Sequence, residues 1–197
     1  MKRVGILLVT ALVPFSAQSA EAEAEKGFAE QWGELEKYVS VKGGYTRADS
    51  YETGAFGAAA GVRVTPAVRA ELEGMYYEKI SEPSVFGTFD HKTATVMGHL
   101  YYDMGNASLR PYVGIGTGVA VIYDEKLSKF GSGFVKNTET ATGFAAAVQI
   151  GASAKLSENV SVDAGMRYTY MYRPESDTFD SYEIVAFSGL LSLRFAF

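Results

Sequence analysis

The sequence predicts an all-β fold, an eight-stranded antiparallel up-and-down transmembrane β-barrel preceded by a signal peptide. Three observations predict it. Eight segments alternate between apolar and polar residues with a period of two, which is the side-chain periodicity of a strand. The links between these segments alternate between short turns and longer polar stretches, and the chain ends on a strand that stops at an aromatic residue. An even number of long strands is typical of single-chain barrels in bacterial membranes.

The first segment, residues 1–20, is predicted to be a signal peptide. Lys2 and Arg3 form a basic start, and the apolar run 4–15 is too short to span a membrane as a mature helix. Small residues follow, and they leave the cleavage site open between 19 and 24. A buried helix of a soluble domain is the alternative, but charge, length and small residues together favour export.

The second segment, residues 21–36, is predicted to be an acidic periplasmic leader. Phe28, Trp32 and Leu35 fall on one face if this segment is helical. Two alternatives stay open: a short helix resting against the rim of the barrel, or an unordered terminus.

Composition limits what the mature chain can be. About 175 residues remain after cleavage, which suits one domain, here residues 37–197. The chain has no cysteine, which excludes disulfides and thiolate metal sites. The full sequence has a formal net charge of −5 and no basic run, which argues against nucleic acid as a partner.

Eight strands are predicted within this domain, each with at least the roughly 9–11 residues that a tilted strand needs to cross the hydrocarbon core. They are residues 37–46, 54–64, 68–79, 90–102, 109–122, 140–154, 160–172 and 183–197. Because a spanning sheet cannot leave an open edge in lipid, the strands are expected to close into a barrel.

The links predict the orientation of the barrel. Residues 65–67, 103–108 and 156–159 are short and rich in turn formers. Longer polar segments lie near 47–53, 80–89, 123–139 and 173–182. Short turns on the periplasmic side and long loops outside are typical of outer-membrane barrels, so both termini are expected on the periplasmic side.

The two strand faces predict a wet interior. One face carries charges among many Gly and Ala residues, which suits a narrow lumen. The lumen-facing set is Lys42, Arg63, Arg69, Glu71, Glu73, His99, Asp103, Arg110, Lys155, Asp163, Arg167 and Arg194. We interpret it as salt bridges that plug the lumen; a polar pore or a buried acid/base pair is the alternative. Tyrosines near strand ends on the other face predict interfacial girdles: Tyr45, Tyr76, Tyr102, Tyr123, Tyr168, Tyr170 and Tyr172.

Motifs for catalysis or cofactor binding do not emerge. The two histidines, His91 and His99, have no nucleophile motif such as Gly-x-Ser-x-Gly to accompany them. The glycines at 114, 116 and 118 lie inside a strand, unlike a dinucleotide fingerprint. Glu71 and Glu73 share a strand face but lack a third metal ligand in sequence. We therefore expect no catalytic residues, no metal and no cofactor.

Three segments carry a family resemblance: the early strand 38–45, the strand containing Gly165-Met166-Arg167-Tyr168-Thr169-Tyr170, and the ending Leu193-Arg194-Phe195-Ala196-Phe197. With the signal peptide, they resemble the small outer-membrane β-barrels of Gram-negative bacteria, the porin-like group that includes OmpA-type, OmpX-type and Opa-type proteins. The resemblance implies contact with outer-membrane lipid and lipopolysaccharide. It also implies insertion by the outer-membrane assembly machinery, with Phe197, Phe195 and Leu193 as the assembly signal.

The expected function is a structural or surface-interaction role through four exposed loops. The longest loop, near 123–139, offers Lys126, Lys129, Phe130 and Phe134 as contact groups for lipopolysaccharide, a host surface or a neighbouring protein. A narrow channel for small solutes is the main alternative. A lipid-modifying enzyme of the outer membrane and a soluble secreted barrel are the remaining ones.

Overall fold

A computed structural model describes residues 35–48, 51–84, 87–105, 108–130, 133–173 and 181–197. The predicted signal peptide lies outside these residues, as does the acidic leader apart from Leu35 and Glu36. Within the described part of the chain, no helix is long and apolar enough to cross a membrane.

Eight antiparallel strands form one closed barrel, in which each strand pairs with its neighbours in sequence and the first pairs with the last. The strands are β1 Glu36–Ala48, β2 Tyr51–Thr65, β3 Val68–Ser84, β4 Gly87–Asp103, β5 Leu109–Phe130, β6 Gly133–Lys155, β7 Val160–Arg173 and β8 Tyr182–Ala196. The shortest has 13 residues, enough to cross a bilayer when tilted. The predicted eight-stranded antiparallel barrel is confirmed.

Three tight connections define one end of the barrel, which we call the turn end. At the β2–β3 turn, Thr65 Oγ1 accepts hydrogen bonds from the backbone N–H groups of Ala67 and Val68, at 3.3 and 3.0 Å. After β4, Gly105 has a φ of +78°, a backbone conformation that favours glycine. Both chain ends of the barrel lie here too, because Tyr38 pairs with Ala196.

The opposite end, which we call the hairpin end, corrects the predicted loops. The segment 123–139 is not a loop: β5 and β6 stay paired from Tyr123 and Thr140 out to Phe130 and Gly133. The loops near 47–53 and 80–89 are likewise mostly strand, with β1 ending at Ala48 and β3 at Ser84. The sequence of these segments does not alternate between apolar and polar residues, whereas backbone pairing needs no apolar face and continues.

Strand pairing differs around the hairpin end. The β2–β3 pairing stops at Ala55 and Tyr77, and the β6–β7 pairing stops at Phe144 and Tyr172. The β3–β4, β4–β5 and β5–β6 pairings continue past these positions. A four-stranded sheet, formed by residues 78–84, 87–92, 124–130 and 133–142, therefore extends beyond the closed barrel; we call it the projecting sheet.

The outer surface of the barrel is mainly apolar, and the buried charges lie in its interior. Leu72, Ile115 and Leu191 are each more than 60% exposed, whereas Glu73 and Arg167 on the inward parity are almost fully buried. Among the predicted girdle residues, five tyrosines count as exposed: Tyr45, Tyr102, Tyr123, Tyr168 and Tyr172. Val62 departs from the pattern, since it has the outward parity but is buried. This inside-out arrangement suits a barrel surrounded by lipid.

Candidate functional site

Glu73 lies at the centre of the lumen, where side chains from other strands meet its carboxylate. Arg167 on β7 donates to both oxygens, at 2.5 and 2.7 Å. Lys42 on β1 donates to Oε2 at 2.6 Å, and His99 Nε2 on β4 lies 3.4 Å from Oε1. A bidentate arginine pair with a further cation compensates a buried carboxylate that would otherwise be costly to desolvate.

Neutral side chains hold the Arg167 guanidinium in place. Gln149 Oε1 accepts hydrogen bonds from Arg167 Nε and Nη2, at 3.0 and 2.9 Å. The Gln149 amide in turn donates to the Tyr112 hydroxyl at 2.8 Å, and the Tyr101 hydroxyl donates to Gln149 Oε1 at 3.3 Å. The Glu73 carboxylate and the Gln149 amide oxygen therefore hold the Arg167 guanidinium from two sides.

A second group of charges lies nearer the turn end, around Asp103. Arg69 donates from Nε to both Asp103 oxygens at 3.0 Å, and Arg63 Nη1 donates to Oδ2 at 2.9 Å. The Arg69 guanidinium lies over the rings of Tyr101 and Tyr112, with 4.9 and 5.4 Å to the ring centroids. Cation–π contacts of this kind help a desolvated guanidinium to stay buried.

Asp163 and Glu71 complete the network. Arg194 Nη2 lies 3.3 Å from Asp163 Oδ1, and Arg69 Nη1 lies 3.9 Å from Oδ2. Lys42 pairs with Glu71, which also accepts a hydrogen bond of 3.2 Å from the Tyr38 hydroxyl. The charges thus form one connected set from the centre of the barrel to the turn end.

Towards the hairpin end the lumen contains an apolar cluster, together with buried threonines and Arg173. Met97, Ile122 and Met171 are at most 2% exposed and pack with the buried alanines Ala48, Ala120, Ala145, Ala147 and Ala186. We call this cluster the apolar layer. Between the charged groups, the cavity beside Lys42 and Arg69 measures only about 10 Å³, room for about one water molecule. Charged and apolar layers therefore block the lumen in series.

Inward glycines make room for the lumen rings. A Cβ at Gly116 would overlap the His99 ring, and one at Gly114 would overlap the Tyr101 ring. The two rings stack on each other with a centroid distance of 5.7 Å. The glycine run on β5 therefore serves packing inside the barrel.

The structure brings most of the predicted lumen residues into contact. Ten lie in the network: Lys42, Arg63, Arg69, Glu71, Glu73, His99, Asp103, Asp163, Arg167 and Arg194. Arg110 and Lys155 line the opening at the turn end. Five further residues are buried inside the barrel but are not among the predicted lumen set: Tyr38, Tyr101, Tyr112, Gln149 and Arg173. Their parity along the strands predicts that they point inward, but the predicted set contains only charged residues and histidine.

The remaining predicted residues lie on the outer surface and on the projecting sheet. Phe197 and Phe195 are 75% and 40% exposed, and Leu193 is half-buried on the same face. The Phe197 N–H donates to the Lys37 carbonyl at 3.0 Å, across the seam between β8 and β1. Among the loop contact candidates, Lys126, Lys129 and Phe130 lie on β5 and Phe134 on β6, where Lys129 pairs with Phe134.

Family comparison agrees with this architecture. The sequence model of the family described as outer membrane protein beta-barrel domain matches residues 6–195 of this chain. The chain belongs to that family. It is thus a β-barrel of the Gram-negative outer membrane, and the general rule for such barrels places the turn end in the periplasm and the hairpin end outside.

Solved structures of outer-membrane proteins with TM-scores above 0.5 share the fold. Neisserial surface protein A is 20% identical, with a TM-score of 0.60, covering 82% of this chain and 97% of that one. A major outer membrane protein of Thermus thermophilus is 11% identical, with a TM-score of 0.53, covering 83% of this chain and 100% of that one. The attachment invasion locus protein Ail of Yersinia pestis is 16% identical, covers 82% and 97%, and has a TM-score of 0.47. Sequence comparison with curated proteins gives no match.

Proposed function

We propose that this outer-membrane barrel is a surface-interaction protein that binds through its projecting sheet and is neither a channel nor a catalyst. The observation that carries the proposal is the continuation of β3 to β6 beyond the closed barrel. At the two sides of this sheet, residues 78–84 of β3 and 133–142 of β6 have no strand partner on β2 or β7 among the described residues.

Strand edges that lack a partner within the described ranges supply a binding mode. A row of backbone N–H and C=O groups pairs readily with an extended segment of another chain, which then adds a strand to the sheet. The partner class is therefore an extended segment of a host or neighbouring surface protein. Lys126, Lys129, Phe130 and Phe134 are the side chains proposed to contact it, and lipopolysaccharide is the alternative partner.

The filled lumen supports the choice against a channel. Glu73 and Arg167 close the middle of the barrel, and the apolar layer fills the part nearer the hairpin end. An eight-stranded interior is just wide enough for its own side chains. Catalysis has no support either, because the buried carboxylates are engaged by arginine or lysine.

Trimming the β5–β6 hairpin tests the proposal. Replacing residues 124–139 by a two-residue Asn-Gly turn joins the paired residues Tyr123 and Thr140. It removes most of the β6 edge and the contact candidates, while every pair between β6 and β7 remains. We expect peptides selected from a displayed random library on the wild-type barrel to bind the trimmed variant at least about tenfold more weakly, the loss of about 1.4 kcal/mol. Binding is measured by titration of each selected peptide.

The control for trimming is the heat-modifiable gel shift of the folded barrel, which we expect to be kept. Leu72→Ala serves as the matched variant, because the Leu72 side chain is 62% exposed on the membrane-facing surface, away from the projecting sheet. Equal peptide binding by wild type and trimmed variant, or selection of no peptide by the wild type, would show that the projecting sheet is not a binding element.

Phe197 allows a separate test of the assembly signal. Its side chain is 75% exposed beyond the end of β8, so Phe197→Ala removes little packing. We expect the unfolding free energy of the refolded barrel to change by less than about 0.5 kcal/mol. The amount of folded protein in the outer membrane of cells is expected to fall several-fold. An unchanged amount in cells would exclude Phe197 as the recognised residue.

A further inference from the structure

The opening at the turn end contains a polar cavity of about 60 Å³, which we call the periplasmic cavity. About 10–15 Å³ suffices for one water, so the cavity has room for several waters or a small polyatomic ion. Its charged lining residues are Arg63, Arg110, Lys155 and Arg194, with Glu36 and Glu158 as the acidic ones. Glu36 lies 3.4 Å from Arg63, but half of its side chain is in solvent.

Behind this cavity, cations outnumber carboxylates. Arg63 and Arg69 both pair with Asp103, at 2.9 Å each. Arg69 and Arg194 both lie within ion-pair distance of Asp163, at 3.9 and 3.3 Å. Three guanidinium groups therefore share two buried carboxylates, and Arg63 has the half-exposed Glu36 as a further partner. A buried positive charge without a full partner is destabilising and favours the uptake of an anion.

Arg194 is one of these three guanidinium groups, and it also lines the periplasmic cavity. It is 5% exposed, and its Nη2 donates to Ser153 Oγ at 2.8 Å. The guanidinium lies over the Tyr38 ring, 5.2 Å from the centroid. Its Nη1 is buried and has no hydrogen-bond partner among the residues that the structure describes. A buried charged donor in this position calls for an acceptor.

The register brings a second cation to the same place. Lys155 pairs with Ser161, and Ser161 pairs with Arg194, so the three residues form one row across β6, β7 and β8. Two strand spacings, about 9.6 Å, separate the Lys155 and Arg194 backbones, which is a span that one small anion and two long side chains can fill. Arg110 lines the cavity from β5.

We propose that the periplasmic cavity binds one small oxyanion of the phosphate or sulfate class, held by Arg194, Lys155 and Arg110. Guanidinium and ammonium groups arranged around a cavity match the several acceptor oxygens of such an anion. The anion comes either free from the periplasm or as the phosphate of a lipid headgroup. Bound there, it supplies the missing negative charge and links β5, β6 and β8 at the turn end.

Calorimetric titration of the full-length folded barrel in uncharged detergent tests the proposal. Inorganic phosphate and sulfate are titrated against sodium chloride of matched ionic strength, and phosphatidylglycerol in the same detergent forms a separate arm. We expect one saturable site, and about tenfold weaker binding by Lys155→Gln, the loss expected for one hydrogen bond to a charged group. Lys155 is exposed, so this variant should fold normally.

Lys37→Gln is the matched control, because it removes a positive charge at the same end but on the outward strand parity. We expect it to keep wild-type affinity. If both variants lower the affinity for the anion equally, the effect is general electrostatic attraction and the proposed site is wrong. The absence of saturable binding in all arms would also overturn the site. Binding of the lipid alone would support the site and assign the headgroup as its source. The proposed surface role is tested at the opposite end and does not depend on this outcome.

Discussion

Replacing Glu73 by Gln is expected to lower the free energy of unfolding by about 3–5 kcal/mol, the range for breaking a buried ion pair from one side. The side chain keeps its size but loses the charge, so Arg167 and Lys42 remain buried without their shared carboxylate. The pair is fully buried, which removes the solvent screening that weakens surface pairs. Urea unfolding of the barrel in lipid vesicles, followed by far-UV circular dichroism, measures the change.

Two further variants make this result specific. Glu158→Gln removes an exposed carboxylate at the β6–β7 turn and is expected to change stability by less than about 0.5 kcal/mol. The double variant Glu73→Gln, Arg167→Gln is expected to recover part of the loss, because it removes the orphaned guanidinium. A Glu73→Gln barrel as stable as the wild type would show that the network does not support the fold.

Opening the lumen is expected to require truncation in both of its layers. The wild-type barrel should show no steady conductance steps in a planar bilayer, because the charged network and the apolar layer block it in series. Arg167→Ala alone should stay closed, since Met97 and Met171 still fill the section nearer the hairpin end. Combining Arg167→Ala with Met97→Ala and Met171→Ala should give measurable conductance.

The control for the triple variant carries the same number of truncations on the membrane-facing surface: Leu72→Ala, Ile115→Ala and Leu191→Ala, each more than 60% exposed. This variant should stay closed, and the gel shift on boiling shows that both variants are folded. Steady conductance in the wild type, or in Arg167→Ala alone, would contradict the sealed lumen and favour the channel alternative.

Periodicity predicted the lumen because the strand repeat is local. Lys42, Glu73 and Arg167 were assigned to the inward face from a period of two, and each is buried inside the barrel. Short turns were equally visible, since their residues set the local backbone conformation. A set restricted to charged residues leaves out Tyr101 and Gln149, although both have inward parity and Gln149 accepts hydrogen bonds from Tyr101 and Arg167.

The hairpin end shows where periodicity stops being informative. The stretch that contains Lys126 and Phe134 has no apolar face, and this pattern predicts a loop. The structure keeps it in strands, because cross-strand hydrogen bonds continue in register from the membrane part of β5 and β6. Backbone pairing of this kind leaves no mark on the composition of the strands.

Local repeats and turn chemistry in the sequence are enough to predict the all-β class, the number of strands and the alternation of inward and outward side chains. The tertiary structure alone decided which charges pair. Glu73 meets Lys42 from 31 residues away and Arg167 from 94 residues away. These contacts depend on the register and closure of the barrel, which set neighbours across the lumen and have no counterpart in the spacing of residues along the chain.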